Sequence, residues 1–143
     1  MATFQEVSGT KCLMGRLEHG ADLLEELTSV CKENGVRLGW VHALGALQRA
    51  RIGYYNQGSR EYEFIEMDHH LEITNLVGNV SLKDGEPIIH AHVTLADADG
   101  RAFGGHLAPG TIIFACEFCV HVFDGPDLCR GFDDTTGLPL WQM

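Results

Sequence analysis

Residues 86–110 read "EPIIHAHVTLADADGRAFGGHLAPG", two strand-like runs joined by a turn-forming segment. The stretch carries three histidines, of which His90 and His92 are two positions apart. Because the side chains of a strand alternate between the two faces of a sheet, these two point the same way, about 6.5 Å apart. The position of His106 depends on the length of the loop that joins the two runs.

Two loop lengths suit the segment "LADADGRAF". A three-residue loop at 98–100 places His106 directly opposite His92 and diagonal to His90, on one face of the sheet. A two-residue loop at 99–100, which the Asp-Gly pair also favours, sends His106 to the opposite face. The pattern of residues alone leaves both registers open.

In the three-residue register, three neutral imidazoles could bind a borderline metal such as zinc at about 2.0–2.1 Å and leave a fourth position for water. Gly104 and Gly105 bring no side chain that would crowd the metal. The alternative is that these histidines are sheet residues hydrogen-bonded to their neighbours, and spacing does not decide between the two. His42 and His121 are each predicted to be single strand histidines with a structural role.

The pattern of the whole chain predicts an α/β fold of the α+β type, with one major helix packed on a mainly antiparallel β-sheet. Apolar residues recur at helical spacing from about Ala21 to Glu33, and Gly35 suits the left-handed conformation after a helix end. The later runs are rich in β-branched and aromatic residues and have short connections, which favours antiparallel pairing. One helix covers only one face, while apolar pairs such as Ile88–Ile89 indicate burial on both, so we expect an oligomer.

The composition indicates one globular domain over residues 1–143, with 45% hydrophobic and 21% charged residues. The net charge of −10 argues against direct nucleic-acid binding, because neutralisation of phosphates by Lys and Arg dominates that affinity. The apolar runs are far shorter than the ~20 residues of a membrane span, and the start of the chain lacks the order of a signal peptide. The five cysteines, an odd number, are expected to be reduced in a cytoplasmic protein.

Two charged residues are candidates for a supporting role behind a metal ligand. Glu117 is a carboxylate within the apolar run "TIIFACEFCVHVF". Three roles are open for it: it orients a ligand histidine, it pairs with an arginine, or it faces solvent. Arg16 is a candidate ion partner for it, and otherwise a solvated surface residue. Cys116 and Cys119 bound the motif "CEFC", but residues three apart point to opposite sides of a strand, which argues against a zinc or redox motif.

Several segments, taken in their order and spacing, identify a known family. They are "RLEHGADLLEEL", "VHALGALQRARIGYYN", "LEITNLVGNVSL", "IIHAHVTLADADGRAFGGHL", "FACEFCV" and "FDDTTGLPLW". From about Cys12 to Trp141, the chain resembles the PPC domain, named for plants and prokaryotes. "HLEITNL" also resembles a Phe-Glu-Ile-Leu segment of plant members, although Leu71 and Thr74 stand where those members carry Phe and Leu.

The resemblance implies a mainly antiparallel α/β fold and a homotrimer. Some prokaryotic members carry a metal on His-x-His and Gly-Gly-His segments, which correspond here to His90, His92 and His106. The resemblance therefore implies the three-residue loop, with zinc as the expected metal and another divalent transition metal as the alternative. Plant members add AT-hooks, Arg-Gly-Arg-Pro segments that enter the DNA minor groove. This chain has none, so it resembles a stand-alone prokaryotic member.

Two functions follow as hypotheses. The first is a trimeric metalloprotein whose three-histidine site binds a small molecule or catalyses a reaction, with Glu117 the one weak candidate for a general base. The second is an interaction module that assembles with another, DNA-associated regulatory protein without binding DNA itself. The hypothesis of direct DNA binding has less support, because the net charge of the chain is −10. The hypothesis of a cupin fold has less support, because the third histidine of a cupin comes from a more distant strand.

Overall fold

The computed structural model describes residues 2–143, which form one helix and nine strands. The elements are β1 (Ser8–Arg16), α1 (Leu23–Glu33), β2 (Gly39–Asn56), β3 (Glu61–Met67), β4 (Leu71–Lys83), β5 (Glu86–Ala96), β6 (Ala102–Leu107), β7 (Ile112–Asp124), β8 (Arg130–Asp133) and β9 (Leu138–Trp141). The neighbouring strands pair antiparallel. The predicted fold class, one helix with a mainly antiparallel sheet, is confirmed.

Helix α1 begins after Asp22, whose carboxylate accepts hydrogen bonds from the backbone N–H groups of the first turn at 3.0 and 3.1 Å. The same carboxylate accepts from the Gly110 N–H at 2.6 Å, which fixes the start of the helix against the loop before β7. Leu23, Leu27 and Cys31, four residues apart, form its buried stripe. Among residues 2–143, no helix has the length and apolar character that a bilayer crossing requires.

The main sheet has the strand order β1-β7-β2-β4-β5-β6, with β3 beside β2. Strand β6 also pairs with β2 through Ile52–Leu107 and Gly53–His106, which closes β2, β4, β5 and β6 into a ring. Strand β2 is continuous over 18 residues. A bulge at Gly45 bends the strand instead of ending it, and a Cβ there would collide with the Ala115 carbonyl oxygen.

The two faces of this sheet have different roles. The core fills the inner face together with α1; its largest fully buried side chains are Leu23, Leu27, Leu47, Leu76, Leu95, Leu107, Ile113, Val36, Val41, Val80, Val93 and Val120. We call the other side, which carries the in-register row Cys119, His42, Val77 and His92, the outer face. The hairpin β8–β9 reaches this outer face beside β4.

The connection between β5 and β6 is the three-residue loop at 98–100. Gly100 is in the left-handed conformation (φ 75°), and Asp97 N–H donates to the Arg101 carbonyl at 3.1 Å. The Asp97 carboxylate accepts from the Asp99 and Arg101 N–H groups, both at 2.9 Å, and from Arg101 Nε at 2.9 Å. The loop therefore sets the register in which His92 lies opposite His106.

Candidate metal centre

The three histidines of the β5–β6 hairpin converge on the outer face. Their ring centroids are separated by 5.2 Å for His90–His92, 5.2 Å for His90–His106 and 5.7 Å for His92–His106. One ring nitrogen from each lies within 4.8 Å of the others. Three nitrogens bound at about 2.1 Å to one tetrahedral ion would be about 3.4 Å apart, so small ring rotations suffice to close such a site.

An unpaired atom indicates what the triad is suited to hold. Nδ1 of His106 is buried and has no hydrogen-bond partner among residues 2–143, although buried polar atoms are normally paired. A metal ion would use an imidazole lone pair left free in this way, and three imidazole donors suit a borderline divalent ion. The residues present therefore fit a metal.

The electrostatics of His90 and His106 favour the neutral imidazole, which is the form that binds metals. Burial, followed by the charge of Arg130 and the two neighbouring imidazoles, lowers the pKa of His90 to about 4. Burial also lowers the pKa of His106, with His92 and Arg130 contributing. Both rings therefore keep a free lone pair at neutral pH.

Arg130, the first residue of β8, supplies the positive charge beside the triad. Its Nε donates to Ser81 Oγ at 2.9 Å, its Nη2 to Asn79 Oδ1 at 2.8 Å and its Nη1 to the Pro139 carbonyl at 2.9 Å. Asn79 is directly opposite His90 in the sheet, so these bonds hold the guanidinium next to the imidazoles. They use three of its five N–H donors, and two remain for a ligand.

A cavity of about 470 Å³ opens over the histidines and Arg130. Its walls are largely apolar or aromatic and come from α1, β3, β5 and the β8–β9 hairpin: Leu24, Tyr62, Ile88, Leu138, Pro139 and Leu140 among them. The Tyr62 ring lies 4.8 Å from that of His106, and burial raises the pKa of its hydroxyl. The site thus combines a polar floor with apolar walls, as small-molecule sites do.

Of the two glycines before His106, Gly105 has a different role from the one predicted, whereas Gly104 lies on the same face as His106. A Cβ on Gly105 would point away from the triad, 2.8 Å from the Gly53 carbonyl oxygen. One on Gly104 would lie 3.2 Å from the Val93 carbonyl oxygen. These glycines let β6 approach β2 and β5 closely, and this approach places His106 in the ring of strands.

The predicted supporting residues lie elsewhere. Arg16 and Glu117 are directly opposite each other on β1 and β7 and line a separate cavity beside His19. Strand β7 is three strand positions from β5, or about 14 Å along the sheet, so the structure does not bring them to the triad. Asn79 and Arg130 occupy the place next to the histidines instead.

Sequence reasoning missed Arg130 and Tyr62, because neither lies in the histidine segment. The β8–β9 hairpin that carries Arg130 was not predicted as a strand pair. The sequence feature that could have predicted this hairpin is the turn "DTTG" between "RGFD" and "LPLW". In the structure, Thr136 N–H at this turn donates to the Asp133 carboxylate at 2.8 Å.

The model of the Plants and Prokaryotes Conserved (PCC) domain, also written PPC, matches residues 4–124. The chain belongs to the PCC domain family. This confirms the resemblance found in the sequence. The structure of a plant- and prokaryote-conserved protein of Pyrococcus horikoshii is similar to this PCC domain, with 33% identity and a TM-score of 0.93 over 99% of this chain and 98% of that one.

A further solved structure, a metal-containing protein of Archaeoglobus fulgidus, matches with 40% identity and a TM-score of 0.94 over 100% of both chains. A curated relative, the bifunctional protein GlmU of Synechococcus sp. (strain JA-2-3B'a(2-13)), is 34% identical over 125 residues, 85% of this chain. This PCC domain spans only 18% of that relative's length.

Proposed function

We propose that this PCC domain is a metalloprotein in which His90, His92 and His106 hold Zn²⁺, and that its cavity binds a small anionic molecule beside the ion. Two observations support the metal: the three imidazoles converge, and Nδ1 of His106 is buried without a hydrogen-bond partner among residues 2–143. The metal-containing neighbour from Archaeoglobus fulgidus agrees with it. With three protein ligands, zinc supplies a Lewis-acidic position for an incoming oxygen or nitrogen ligand.

Arg130 carries the proposal of an anionic ligand. It is half-buried, yet none of the salt bridges within residues 2–143 involves it. Burial lowers its pKa, but a guanidinium stays charged in proteins. A buried cation beside a divalent ion needs an anion to balance the charge, and its two free N–H donors match a carboxylate. The apolar walls favour a ligand with a hydrocarbon part.

Metal analysis of protein purified without a histidine tag tests the zinc site. His92→Ala should lose one equivalent of zinc per chain relative to the wild type, because it removes one of three ligands. His70→Ala, an exposed histidine outside the triad, is the control and should lose none. Equal zinc in the wild type and His92→Ala would overturn the proposal.

The anionic ligand is tested with simple probes. Co²⁺ bound to the triad reports on a new ligand through its visible absorption, so the Co²⁺ protein is titrated with hexanoate and, as the uncharged control, hexanol. Hexanoate should change the spectrum and hexanol should not. Arg130→Gln should weaken hexanoate binding roughly tenfold or more, the value of a charged hydrogen bond, while exposed Arg49→Gln leaves it unchanged. Equal binding of both probes would contradict the proposal.

We also propose that the domain is a homotrimer. Large apolar side chains remain on the outer face of the single chain: Met14 is 80% exposed, Leu44 58% and Trp40 39%. Apolar surface of this kind supports association between copies. Light scattering on the purified protein should give about 47 kDa, three times the 15.7 kDa chain, and a monomer mass at micromolar concentration would contradict it.

A further inference from the structure

A second cluster of metal-binding side chains lies on the outer face, at the other end of the sheet from the triad. It consists of Cys12 on β1 and of Cys119 and His121 on β7. The two sulfur atoms are 3.0 Å apart, and Cys119 Sγ lies 3.5 Å from His121 Nε2. We propose that this cluster is a separate Zn²⁺ site with two thiolates and one imidazole as ligands.

The register of β1 and β7 creates the cluster. Cys119 and His121 are two residues apart in one strand, so both point to the outer face. Cys12 is directly opposite His121 in the antiparallel pair and diagonal to Cys119. The ligands therefore come from both ends of the sequence. Cys116, the other half of "CEFC", is buried in the core and takes no part.

The donor set matches zinc in type and in charge. Thiolate and imidazole are the ligands that zinc prefers, and two thiolates balance a divalent ion. The 3.0 Å between the two sulfur atoms lies between two geometries. Thiolates bound at about 2.3 Å to one tetrahedral ion are about 3.8 Å apart, so the sulfurs must separate slightly to take the ion. A disulfide bond is about 2.0 Å long, so the metal site is proposed for the reduced protein.

The surroundings leave room for the ion. Cys12 and His121 are exposed in the single chain, so its surface leaves the cluster open to an ion. Met14 and Trp40 pair with Cys119 and His121, so in the proposed homotrimer the cluster adjoins the surface between copies. The His42 ring stands edge-on to the His121 ring with centroids 5.9 Å apart, and restricts the side of the cluster toward β2. The predicted description of His42 and His121 as single strand histidines is therefore corrected: the sheet register brings them together with the two cysteines.

The two sites are independent. Three strand spacings of about 4.8 Å separate Cys119 from His92 along one in-register row, and the sites share no residue. Their chemistry also differs, because thiolates bound to Co²⁺ give a charge-transfer absorption in the near ultraviolet that an all-imidazole site does not give. If one site binds no metal, metal binding at the other can therefore still be measured.

The experiment titrates Co²⁺ into the reduced, metal-free, full chain under argon. In the wild type the thiolate charge-transfer band should be complete by two equivalents of Co²⁺ per chain, because the triad also takes the ion, and Zn²⁺ should abolish the band. The band should be lost in the double variant Cys12→Ser, Cys119→Ser. It should be weakened or lost in His121→Ala. It should persist in Cys129→Ser, an exposed cysteine outside the cluster, and in His92→Ala.

Circular dichroism of each variant, compared with the wild type, separates loss of the site from loss of the fold. If the double variant is unfolded, the His121→Ala result decides. A reduced wild type without the band, or a band of equal strength in the folded double variant, would overturn the proposal. A Cys12–Cys119 disulfide found by mass spectrometry in protein kept under reducing conditions would overturn it as well.

Discussion

At the level of single residues, the candidate metal centre depends on how closely β6 approaches β2. His106 stands opposite Gly53 in this pairing, and Gly105 allows the approach because it lacks a Cβ. The histidine, its partner strand and the unpaired Nδ1 are thus positioned by backbone contacts rather than by side-chain hydrogen bonds. Small changes in these contacts should therefore affect metal binding directly.

Gly105→Ala tests this close approach. The added Cβ would lie 2.8 Å from the Gly53 carbonyl oxygen and 3.3 Å from Ile52, so β6 must move outward. We expect a loss of about 1–3 kcal/mol in the free energy of unfolding, measured by urea denaturation, together with weaker zinc binding. Gly9→Ala, where nothing lies within 4 Å of the new Cβ, is the control. Equal effects of the two substitutions would contradict the account.

Asp97 gives a pH-dependent prediction. Burial raises the pKa of its carboxyl, but hydrogen bonds from the Arg101 backbone and side chain and from the Asp99 N–H outweigh this, and the net pKa is lowered. A carboxyl whose pKa is lower in the folded state stabilises the protein above its unfolded pKa of about 3.9, and this stability is lost as the pH falls through the folded pKa.

Asp97→Asn should therefore be less stable than the wild type at pH 6 to 7. The difference in the free energy of unfolding should shrink as the pH is lowered toward 3. Urea denaturation at a series of pH values measures it, with Asp68→Asn, an exposed aspartate outside the hairpin, as the control. A difference between wild type and Asp97→Asn that does not change with pH would show that this carboxylate does not stabilise the loop through its charge.

At the level of elements, the length of one loop decides whether the histidines converge. Strand side chains alternate, so a shift of one residue in the β5–β6 pairing turns every β6 side chain to the other face. The three-residue loop, with Gly100 at φ 75°, is the one that gathers the imidazoles. The metal centre is thus a property of the hairpin and not of the three histidines alone.

Deletion of Ala98 converts this loop to the two-residue Asp99-Gly100 form. The register should shift by one, His106 should leave the triad, and zinc binding by the triad should fall to the level of His92→Ala. Isothermal titration measures it, with Ala98→Ser as the control of unchanged loop length. Triad affinity retained in the deletion variant would show that the strand pairing, rather than the loop, sets the register.

How far the sequence predicts the structure depends on how local the signal is. The helix, the antiparallel sheet and the pairing options of the β5–β6 hairpin follow from periodicity and turn residues within short stretches. The choice between the two loops required the family resemblance, because "DADG" suits both. The cluster of Cys12 with Cys119 could not be predicted, because it depends on the β1–β7 register between segments far apart in the sequence. Arg130 was also missed, because its contact with Asn79 joins residues that are 51 positions apart.

At the level of the whole molecule, the triad joins two strands of the closed ring β2-β4-β5-β6. A ligand that binds only the folded state stabilises it by about 2.7 kcal/mol at a concentration of 100 times Kd. Zinc added to the metal-free protein should therefore raise Tm in a concentration-dependent manner, as measured by differential scanning calorimetry.

The same titration separates the two sites. His92→Ala should lose most of this shift in Tm, because the triad lies within the ring of strands. The Cys12→Ser, Cys119→Ser variant should keep most of it, because β1 is at the sheet edge. A Tm of the wild type that does not respond to zinc would contradict a metal centre within the fold.

The central claim is that a zinc ion is bound by His90, His92 and His106. Anomalous scattering from a crystal of tag-free protein, measured on both sides of the zinc absorption edge, tests it most directly. We expect an anomalous peak at about 2.0–2.1 Å from one nitrogen of each imidazole, present above the edge and absent below it. Imidazoles bonded only to water, with no anomalous peak between them in zinc-supplemented crystals, would contradict the claim.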